Sequence, residues 1–288
     1  YFVKTRQKEI SDIIIPSEEN NCQLPDFSSL PSDAGPKEDY FAKWRPFQLA
    51  FLLSQIPGMV NKESVDRETV DLIWFSTGGG KTEAYLGLIA MYMLHRRLLA
   101  KNEFGDPDKG AGVSAIMRYT LRLLIKQQYG RATPLVMACE MIRRKENSNY
   151  GSVPFSIGIW VGQSLTPNKS DMKNKDDASF QYSFNTLKKD PDAETKYSLP
   201  FYSCPACGTS MVKRKNGSIT EGEWGCFGKS IKGQDKGPFK LHCTNKKCDF
   251  HVPENDRRYE DKVSNKFLPV ILTIQLFRKS NYEINIIY

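Results

Sequence analysis

The stretch that most constrains this chain runs from Val70 to Leu88 and reads VDLIWFSTGGGKTEAYLGL. The pattern predicts an apolar strand from Val70 to Phe75, then a loop with three consecutive glycines, then a helix that opens at Lys81 and Thr82. Glycines adopt backbone angles that are closed to other residues, so main-chain N–H groups in such a loop can approach an anion. Strand, glycine-rich loop and helix, in this order, are the context that a phosphate-binding loop requires.

The loop therefore predicts a nucleotide site. Lys81 would reach the β- and γ-phosphates of ATP, and the Thr82 hydroxyl would bind Mg²⁺. One departure is visible, because Phe75 stands where the usual pattern has its first glycine. The alternative interpretation is a glycine-rich turn before a core helix. The predicted nucleotide-binding residues are Gln48, Thr77, Gly78, Gly79, Gly80, Lys81 and Thr82, with Lys81 and Thr82 also as the catalytic candidates.

A second segment, Trp44 to Ile56, is predicted to form a helix with Pro46 in its first turn. A buried amphipathic helix is the simpler interpretation. The second interpretation gives Gln48, in the run RPFQ, a role in nucleotide recognition. A glutamine amide offers a donor and an acceptor side by side, which matches the N6 and N7 positions of adenine.

Basic residues cluster from Arg118 to Lys145, where seven cations face the single acid Glu140. The sequence predicts a buried strand from Val113 to Tyr119, followed by a helix that Thr120 caps. Cations at such a strand end suit the phosphates of a nucleic acid, although a solvated helix face would look the same. The predicted nucleic-acid contacts are Arg118, Thr120 and Arg122.

Four of the seven cysteines form two close pairs, Cys204 with Cys207 and Cys243 with Cys248. Two such knuckles supply four thiolates, which is the ligand set of a structural, tetrahedral Zn²⁺ site. Free cysteines are the alternative interpretation. Cys226, His242 and His251 are spare candidates that lie outside the paired pattern, and Cys22 and Cys139 are predicted to be plain buried or exposed thiols.

Strands that alternate with helices predict an α/β fold with a parallel sheet. Further buried strands are expected from Phe155 to Val161 and from Leu268 to Phe277. Residues 1–40 predict an extended lead-in with little regular structure, and residues 166–200 a long polar excursion. The longest uncharged, mostly apolar run, Ala84 to Leu94, is too short to span a bilayer, so no membrane association is expected.

Taken together, the runs RPFQ, WFSTGGGKTEAYLGL and MRYTLRLLIKQQYGRA resemble motifs Q, I and Ia of superfamily 2 helicases. With PFSIGIWVG and the paired cysteines, most of residues 25–275 are similar to the large helicase-like proteins of the DISARM anti-phage defence system. The resemblance implies a RecA-like lobe over residues 41–165, a zinc-bearing insertion over 166–266 and a truncated return strand over 267–288. It also implies ATP-dependent action on DNA, partner subunits in a defence complex and a bacterial cytoplasm.

Two departures from that family bear on activity. The acidic motif II expected after Val270 is absent, and Thr273 to Gln275 stand in its place. A second lobe with an arginine finger is also missing, so we expect the chain to be a piece of a longer protein. Our main hypothesis is the ATP-binding part of a DNA helicase or translocase. The alternative is a non-hydrolysing nucleotide- and nucleic-acid-binding module, with the zinc knuckle as a protein-docking site.

Overall fold

The computed structural model describes residues 44–74, 79–119, 122–159, 186, 203–211, 214–215, 218–219, 225–227, 240–253, 270–271 and 285–287. These residues form a mixed helix-and-strand structure. The strand segments are short, and the helices carry most of the regular structure that positions the candidate sites.

Helix α1 spans Pro46–Val60 and carries a proline in its first turn, as the sequence predicts. Helix α2 spans Lys81–Phe104 and begins at the predicted residue, directly after the glycine-rich loop. Helix α3, Arg122–Lys145, ends in three basic side chains, which suit the negative end of the helix dipole. The shorter elements are α4 (Asn147–Tyr150) and two 3₁₀ helices, Val65–Glu68 and Pro107–Gly110.

Four strands form one parallel sheet: β1 (Ile116–Met117), β2 (Ile157–Ile159), β7 (Val270–Ile271) and β8 (Asn285–Ile287). Their order across the sheet is β1-β8-β2-β7. Strand β2 is buried throughout, which confirms the expected buried strand after Phe155 over the residues described. Two antiparallel pairs stand apart: β3 (Arg214–Lys215) with β4 (Ser218–Ile219), and β5 (Cys226–Phe227) with β6 (Lys240–Leu241).

The strand predicted before the glycine-rich loop is wrong for residues 70–74, which belong to no strand. Val70, Leu72 and Trp74 are 93%, 82% and 86% exposed, so this apolar stretch contributes nothing to the core. Phe75 lies outside the described residues. The strand predicted from Val113 to Tyr119 was expected to be buried. That expectation is wrong at Val113 and Ile116, which are both exposed. The RecA-like arrangement therefore stays a prediction.

Helix α1 also differs from the buried helix of the simpler interpretation. Its one buried side chain is Gln48. Leu49, Leu53, Ile56 and Val60 form a stripe at helical spacing that faces solvent. The polar Gln48, not the apolar stripe, is the side chain that this helix turns inward.

One hydrophobic cluster joins helices α2 and α3, strand β2 and the cysteine-bearing segments. Helix α3 contributes side chains that recur every three or four residues, so one face of the helix is buried. The contributing residues include Met93 from α2, Tyr129, Ala132, Val136 and Met137 from α3, Phe155 and Ile157 at β2, and Met211, Leu241 and Phe250 around the cysteines.

Two buried ionic clusters fix the helices to the rest of the structure. Glu140 on α3 is fully buried, pairs with Arg143 and Arg144, and accepts the Phe155 N–H at 2.9 Å. Because every partner is a charged or main-chain donor, the burial of this carboxylate is compensated.

The second cluster lies on α2, where fully buried Arg97 donates to Asp108 at 2.7 Å and to the Val153 carbonyl at 2.8 Å. Asp108 also accepts from the Ser152 hydroxyl and from the Ser152 and Val153 N–H groups. Burial raises the pKa of Asp108, but these hydrogen bonds and the Arg97 charge outweigh it and lower the pKa overall. The loop after α4 is thereby tied to α2.

Within the described residues, none of the helices combines the length and the apolar content that crossing a bilayer requires.

Candidate functional site

The two predicted cysteine pairs meet in space. Their Sγ atoms all lie within 4.8 Å of one another, and all four side chains are buried. Cys207 and Cys243, one from each pair, have their sulfurs 3.4 Å apart. The four residues, Cys204, Cys207, Cys243 and Cys248, are the set that the sequence spacing singled out.

Local hydrogen bonds shape each knuckle. In the first, the Cys204 N–H donates to the Thr209 carbonyl and the Gly208 N–H donates to the Cys204 carbonyl, both at 2.8 Å. Gly208 has φ of 77°, a left-handed conformation that other residues rarely adopt, so it permits the turn past the second ligand. In the second, the Asn245 N–H donates to the Cys243 sulfur at 3.3 Å and closes the turn around it.

This geometry fits a metal ion such as zinc. Sulfurs around tetrahedral Zn²⁺, each about 2.3 Å from the metal, lie about 3.8 Å from one another, close to the spacing found here. Four buried thiolates also close the coordination shell, which is typical of a structural site and leaves no position for a substrate.

The cysteines of the cluster differ in the direction of their pKa shifts. Hydrogen bonds from the thiols of Cys204, Cys243 and Cys248 hold the pKa of Cys207 well below its usual range. Burial raises the pKa of Cys204. Four sulfurs this close cannot all be thiolates without a cation, because like charges repel in a buried site. A divalent metal would supply that cation.

The two histidines near the cluster each place one ring nitrogen beside a main-chain carbonyl. Nδ1 of His242 lies 3.0 Å from the Cys243 carbonyl, and Nδ1 of His251 lies 2.8 Å from the same oxygen. Neither belongs to the group of converging ligand atoms. Cys139 lies on α3, where burial raises its pKa to about 12 and keeps the thiol protonated.

One side chain that sequence reasoning missed connects the cysteine knuckle to helix α3. Arg144 donates to the Asp249 carbonyl at 2.9 Å, and its guanidinium lies over the Phe250 ring, 4.3 Å from the centroid. The same guanidinium donates to buried Glu140. The spacing of Glu140 and Arg144 at i,i+4 signals a helical ion pair, but nothing local signals the contact across more than a hundred residues.

The second candidate site lies at the N-terminus of α2. Lys81 and Thr82 occupy the first two helical positions, and both are half-buried. Gly80 precedes them with φ of 93°, in the left-handed region. The left-handed backbone favours glycine here, and a Cβ built on Gly80 would lie 2.6 Å from Nε2 of Gln48 and would displace that amide. Thr77 and Gly78 lie outside the described residues.

Two side chains at the start of helix α1 donate hydrogen bonds to carbonyls of this loop. Nε2 of Gln48 donates to the Gly80 carbonyl at 2.7 Å, and Nη1 of Arg45 donates to the Gly79 carbonyl at 2.9 Å. Oε1 of Gln48 accepts from the Arg45 N–H at 2.8 Å, so both ends of the amide contact main chain. The sequence analysis assigned Gln48 to nucleotide binding but did not assign a role to Arg45. The available signal for Arg45 is that it opens the same RPFQ run, three residues before Gln48.

Beside the loop, Glu83 in the first turn of α2 forms an ion pair with Arg131 of α3. The pair ties the N-terminus of α2 to the helix that bears the basic cluster. Both side chains are partly exposed, so we expect a modest contribution to stability.

The predicted nucleic-acid residues are only partly described. Arg118 follows β1 and is exposed, as a phosphate contact requires. Arg122 is the first described residue of α3, although its side chain is not described, and Thr120 lies outside the described residues. The contact surface therefore stays a prediction.

The sequence also has a named relative. The chain is 40% identical over 214 residues to the DISARM protein DrmA of Bacillus paralicheniformis. The match covers 73% of this chain and 18% of the relative, so the chain spans less than a fifth of that protein's length. No family model matches the chain. Identity at this level over most of the chain agrees with the resemblance carried by the motifs, and the chain is a DrmA-like protein.

Proposed function

We propose that this chain is the ATP-binding N-terminal part of a superfamily 2 DNA helicase or translocase that acts in a DISARM phage-defence system. The observation that carries the proposal is that Arg45 and Gln48 donate hydrogen bonds to the carbonyls of Gly79 and Gly80. In a planar trans peptide the N–H points away from the carbonyl. Both contacts therefore turn the N–H groups of Gly80 and Lys81 away from α1, toward the side on which we place the phosphates.

The N-terminus of α2 adds to this arrangement. Its first N–H groups have no partner within the helix, and the helix dipole places partial positive charge there. Lys81 contributes a full positive charge for the β- and γ-phosphates, and Thr82 a hydroxyl for Mg²⁺. Gln48 keeps the loop carbonyls in place, and we retain its adenine contact as a prediction.

The cysteine cluster has a structural role in this proposal. Zinc held by the four thiolates would supply a crosslink between two segments that lie 36 or more residues apart in the chain. The surrounding residues pack into the core shared with α2 and α3, so the crosslink would stabilise the nucleotide-binding part itself.

DNA is the proposed polyanionic partner, through exposed Arg118 and the basic start of α3. Contacts of this kind read phosphates and carry no base information. We expect affinity that falls steeply with added salt and is similar across sequences.

Turnover is a separate matter from binding. Phosphoryl transfer needs an acidic group that anchors the metal and usually an arginine finger, which alone contributes a factor of roughly 10³–10⁵ in rate. Residues 1–288 contain no Asp-Glu dipeptide. We therefore expect residues 1–288 to bind ATP with negligible hydrolysis.

The test is calorimetric titration of the purified chain with ATP and Mg²⁺. Lys81→Ala should abolish most of the binding, whereas Lys145→Ala, which removes an exposed cation at the far end of α3, should leave it unchanged. Equal affinity in wild type and Lys81→Ala would refute the nucleotide site. Robust DNA-stimulated ATP hydrolysis by residues 1–288 would instead refute the expected lack of turnover and exclude the non-hydrolysing alternative.

A further inference from the structure

A cleft of about 350 Å³ lies on the C-terminal half of α2, away from the glycine-rich loop. Its walls come from the end of α1, from α2 and from the two 3₁₀ helices. Fifteen residues of helix separate Lys81 from Arg96, a distance of about 22 Å along the axis. The cleft is therefore distinct from the proposed ATP site, and its volume lies in the range of small-molecule pockets.

The charges that line this cleft are unbalanced. Four cations, Lys62, Arg67, Arg96 and Lys109, face one acid, Glu103. Glu103 pairs with Lys62 at 2.6 Å. Among the described residues, the recorded contacts of the other three cations are to carbonyls, a hydroxyl and aromatic rings, and none is to a carboxylate. The cleft thus holds three positive charges that no described carboxylate neutralises.

Two of these cations, Arg96 and Arg67, are held in place before any ligand arrives. Arg96 donates to the carbonyls of Val113 and Ala111 and to the Ser114 hydroxyl, at 2.7, 3.2 and 3.1 Å. Arg67 donates to the Gly58 carbonyl at 2.8 Å. Side chains fixed in this way lose little conformational entropy when a ligand binds, so the site is preorganised.

The remaining lining adds polar and apolar groups. Nδ1 of His95 is buried in the wall and has no hydrogen-bond partner among the described residues. Met59 and Leu99 supply an apolar surface beside the cations. An anion alone would leave that surface unused, whereas an anion attached to a ring or a short hydrocarbon would cover it.

We propose that this cleft binds a small organic phosphate, with its phosphate between Arg67, Arg96 and Lys109 and its apolar part against Met59 and Leu99. A phosphate monoester carries a charge of about −1.5 to −2 at pH 7, which matches three cations better than a carboxylate does. Arg67 and Arg96 would donate to phosphate oxygens through the N–H groups that their bonds to the carbonyls and the hydroxyl leave over. A nucleic-acid backbone also presents phosphates, but a short concave cleft with an apolar wall favours a compact ligand.

The test titrates the purified chain with phenyl phosphate and, separately, with inorganic phosphate. We expect phenyl phosphate to bind more tightly, because its ring covers the apolar wall. Arg67→Gln with Lys109→Gln should weaken phenyl phosphate at least about tenfold, since each substitution removes a charged hydrogen-bond donor. Both residues are exposed, and thermal unfolding would verify that the double variant folds. Lys246→Gln with Lys247→Gln, an exposed pair on the cysteine knuckle, is the matched control and should bind as wild type.

Two further measurements separate this site from the others. Lys81→Ala should keep full affinity for phenyl phosphate, and loss of binding there would assign the ligand to the glycine-rich loop and overturn the proposal. A single-stranded oligothymidylate should not displace phenyl phosphate. Displacement that disappears in the Arg67→Gln, Lys109→Gln variant would assign the cleft to nucleic acid and equally overturn it, as would unchanged affinity in that variant.

Discussion

The cysteine knuckle and the glycine-rich loop are the two sites that the sequence marks most clearly, yet they are built in opposite ways. The knuckle is closed: its four ligand side chains are buried, and their sulfurs already converge. The loop is built differently: the apolar stretch before it is exposed, and its described glycines, Gly79 and Gly80, are hydrogen-bonded by Arg45 and Gln48 at the start of α1. A site defined by side-chain ligands is complete within two short turns, whereas a site made of main-chain N–H groups needs neighbouring elements to orient it.

The largest expected effect is loss of the metal. Purified protein should contain about one zinc per chain, because four thiolates close one tetrahedral shell. Cys204→Ser with Cys243→Ser should remove the zinc and lower the free energy of unfolding by several kcal/mol, since the binding free energy of a structural zinc contributes to folding. Elemental analysis and denaturant unfolding measure the two effects.

Cys139→Ala is the control for that pair, because it removes a buried thiol that lies outside the cluster. It should retain the full zinc content. Zinc bound as well by the double variant as by wild type would refute the site and, with it, the contrast between the two sites.

The next effect concerns Asp108, which holds buried Arg97. Asp108→Asn should lower the free energy of unfolding by about 3 kcal/mol at neutral pH, because it leaves a buried guanidinium without its carboxylate. The lowered pKa sets the sign of the pH dependence. The stabilisation is fully present above the ordinary value of 3.8 and is lost as the pH falls through the lower value in the folded protein.

Denaturant unfolding from pH 7 to pH 2 tests this, with Asp106→Asn as the control, an exposed acid two residues away. The difference between wild type and Asp108→Asn should shrink in acid. A difference that is constant with pH would show that the Asp108 charge does not support the C-terminal half of α2.

A smaller effect is expected at Gly80. Gly80→Ala should cost about 1–2 kcal/mol for the left-handed backbone, and more for the contact with Gln48. In a Gln48→Ala background the steric part should vanish and only the backbone part remain. ATP affinity and unfolding free energy, measured as a double-mutant cycle, separate the two.

Gly130→Ala provides the comparison for Gly80, because a Cβ on that α3 residue meets nothing within 4 Å. It should stabilise the protein by about 0.5–1 kcal/mol, the usual gain in a helix interior. Equal effects at the two glycines would mean that the loop has no special conformation.

The smallest effect is expected for Arg45→Ala. Its hydrogen bond to the Gly79 carbonyl is exposed, so its loss should cost about 0.5–1 kcal/mol in stability. ATP affinity should nevertheless fall, because the Gly79–Gly80 peptide is no longer oriented. Ser54→Ala, which also loses one exposed bond to a carbonyl, should keep its affinity for ATP. Unchanged affinity in Arg45→Ala would show that the loop orients itself.

The same contrast explains what the sequence could predict. The knuckle residues were identified by spacing alone, because the turns that bring Cys204 to Cys207 and Cys243 to Cys248 are local. Helices α1 and α2 were likewise predicted, with Pro46 and Lys81 near their starts. Val70 to Trp74 has the composition of a strand, but strand formation depends on pairing and packing partners that composition does not contain.

Contacts between distant segments account for the remaining misses. The bond from Arg144 to the Asp249 carbonyl spans 105 residues, and the bond from Arg97 to the Val153 carbonyl spans 56. Both arginines lie in ordinary helical patterns that suggest solvent exposure. The full burial of Arg97 and the partial burial of Arg144 follow from the tertiary structure, which one-dimensional spacing does not encode.

The chain of contacts from Phe250 through Arg144 and Glu140 to the Phe155 N–H has a consequence for how this protein unfolds. The Glu140 carboxylate bonds both to Arg144, which contacts the second cysteine pair, and to the main chain just before β2. Local unfolding of either region therefore removes hydrogen-bond partners from the other. The amide protons of Phe155 and of the second knuckle should therefore exchange with solvent at a common rate, as members of one cooperative unit. Chelation of the proposed zinc should speed the exchange at Phe155, although the N–H of that residue donates to Glu140 and not to a cysteine.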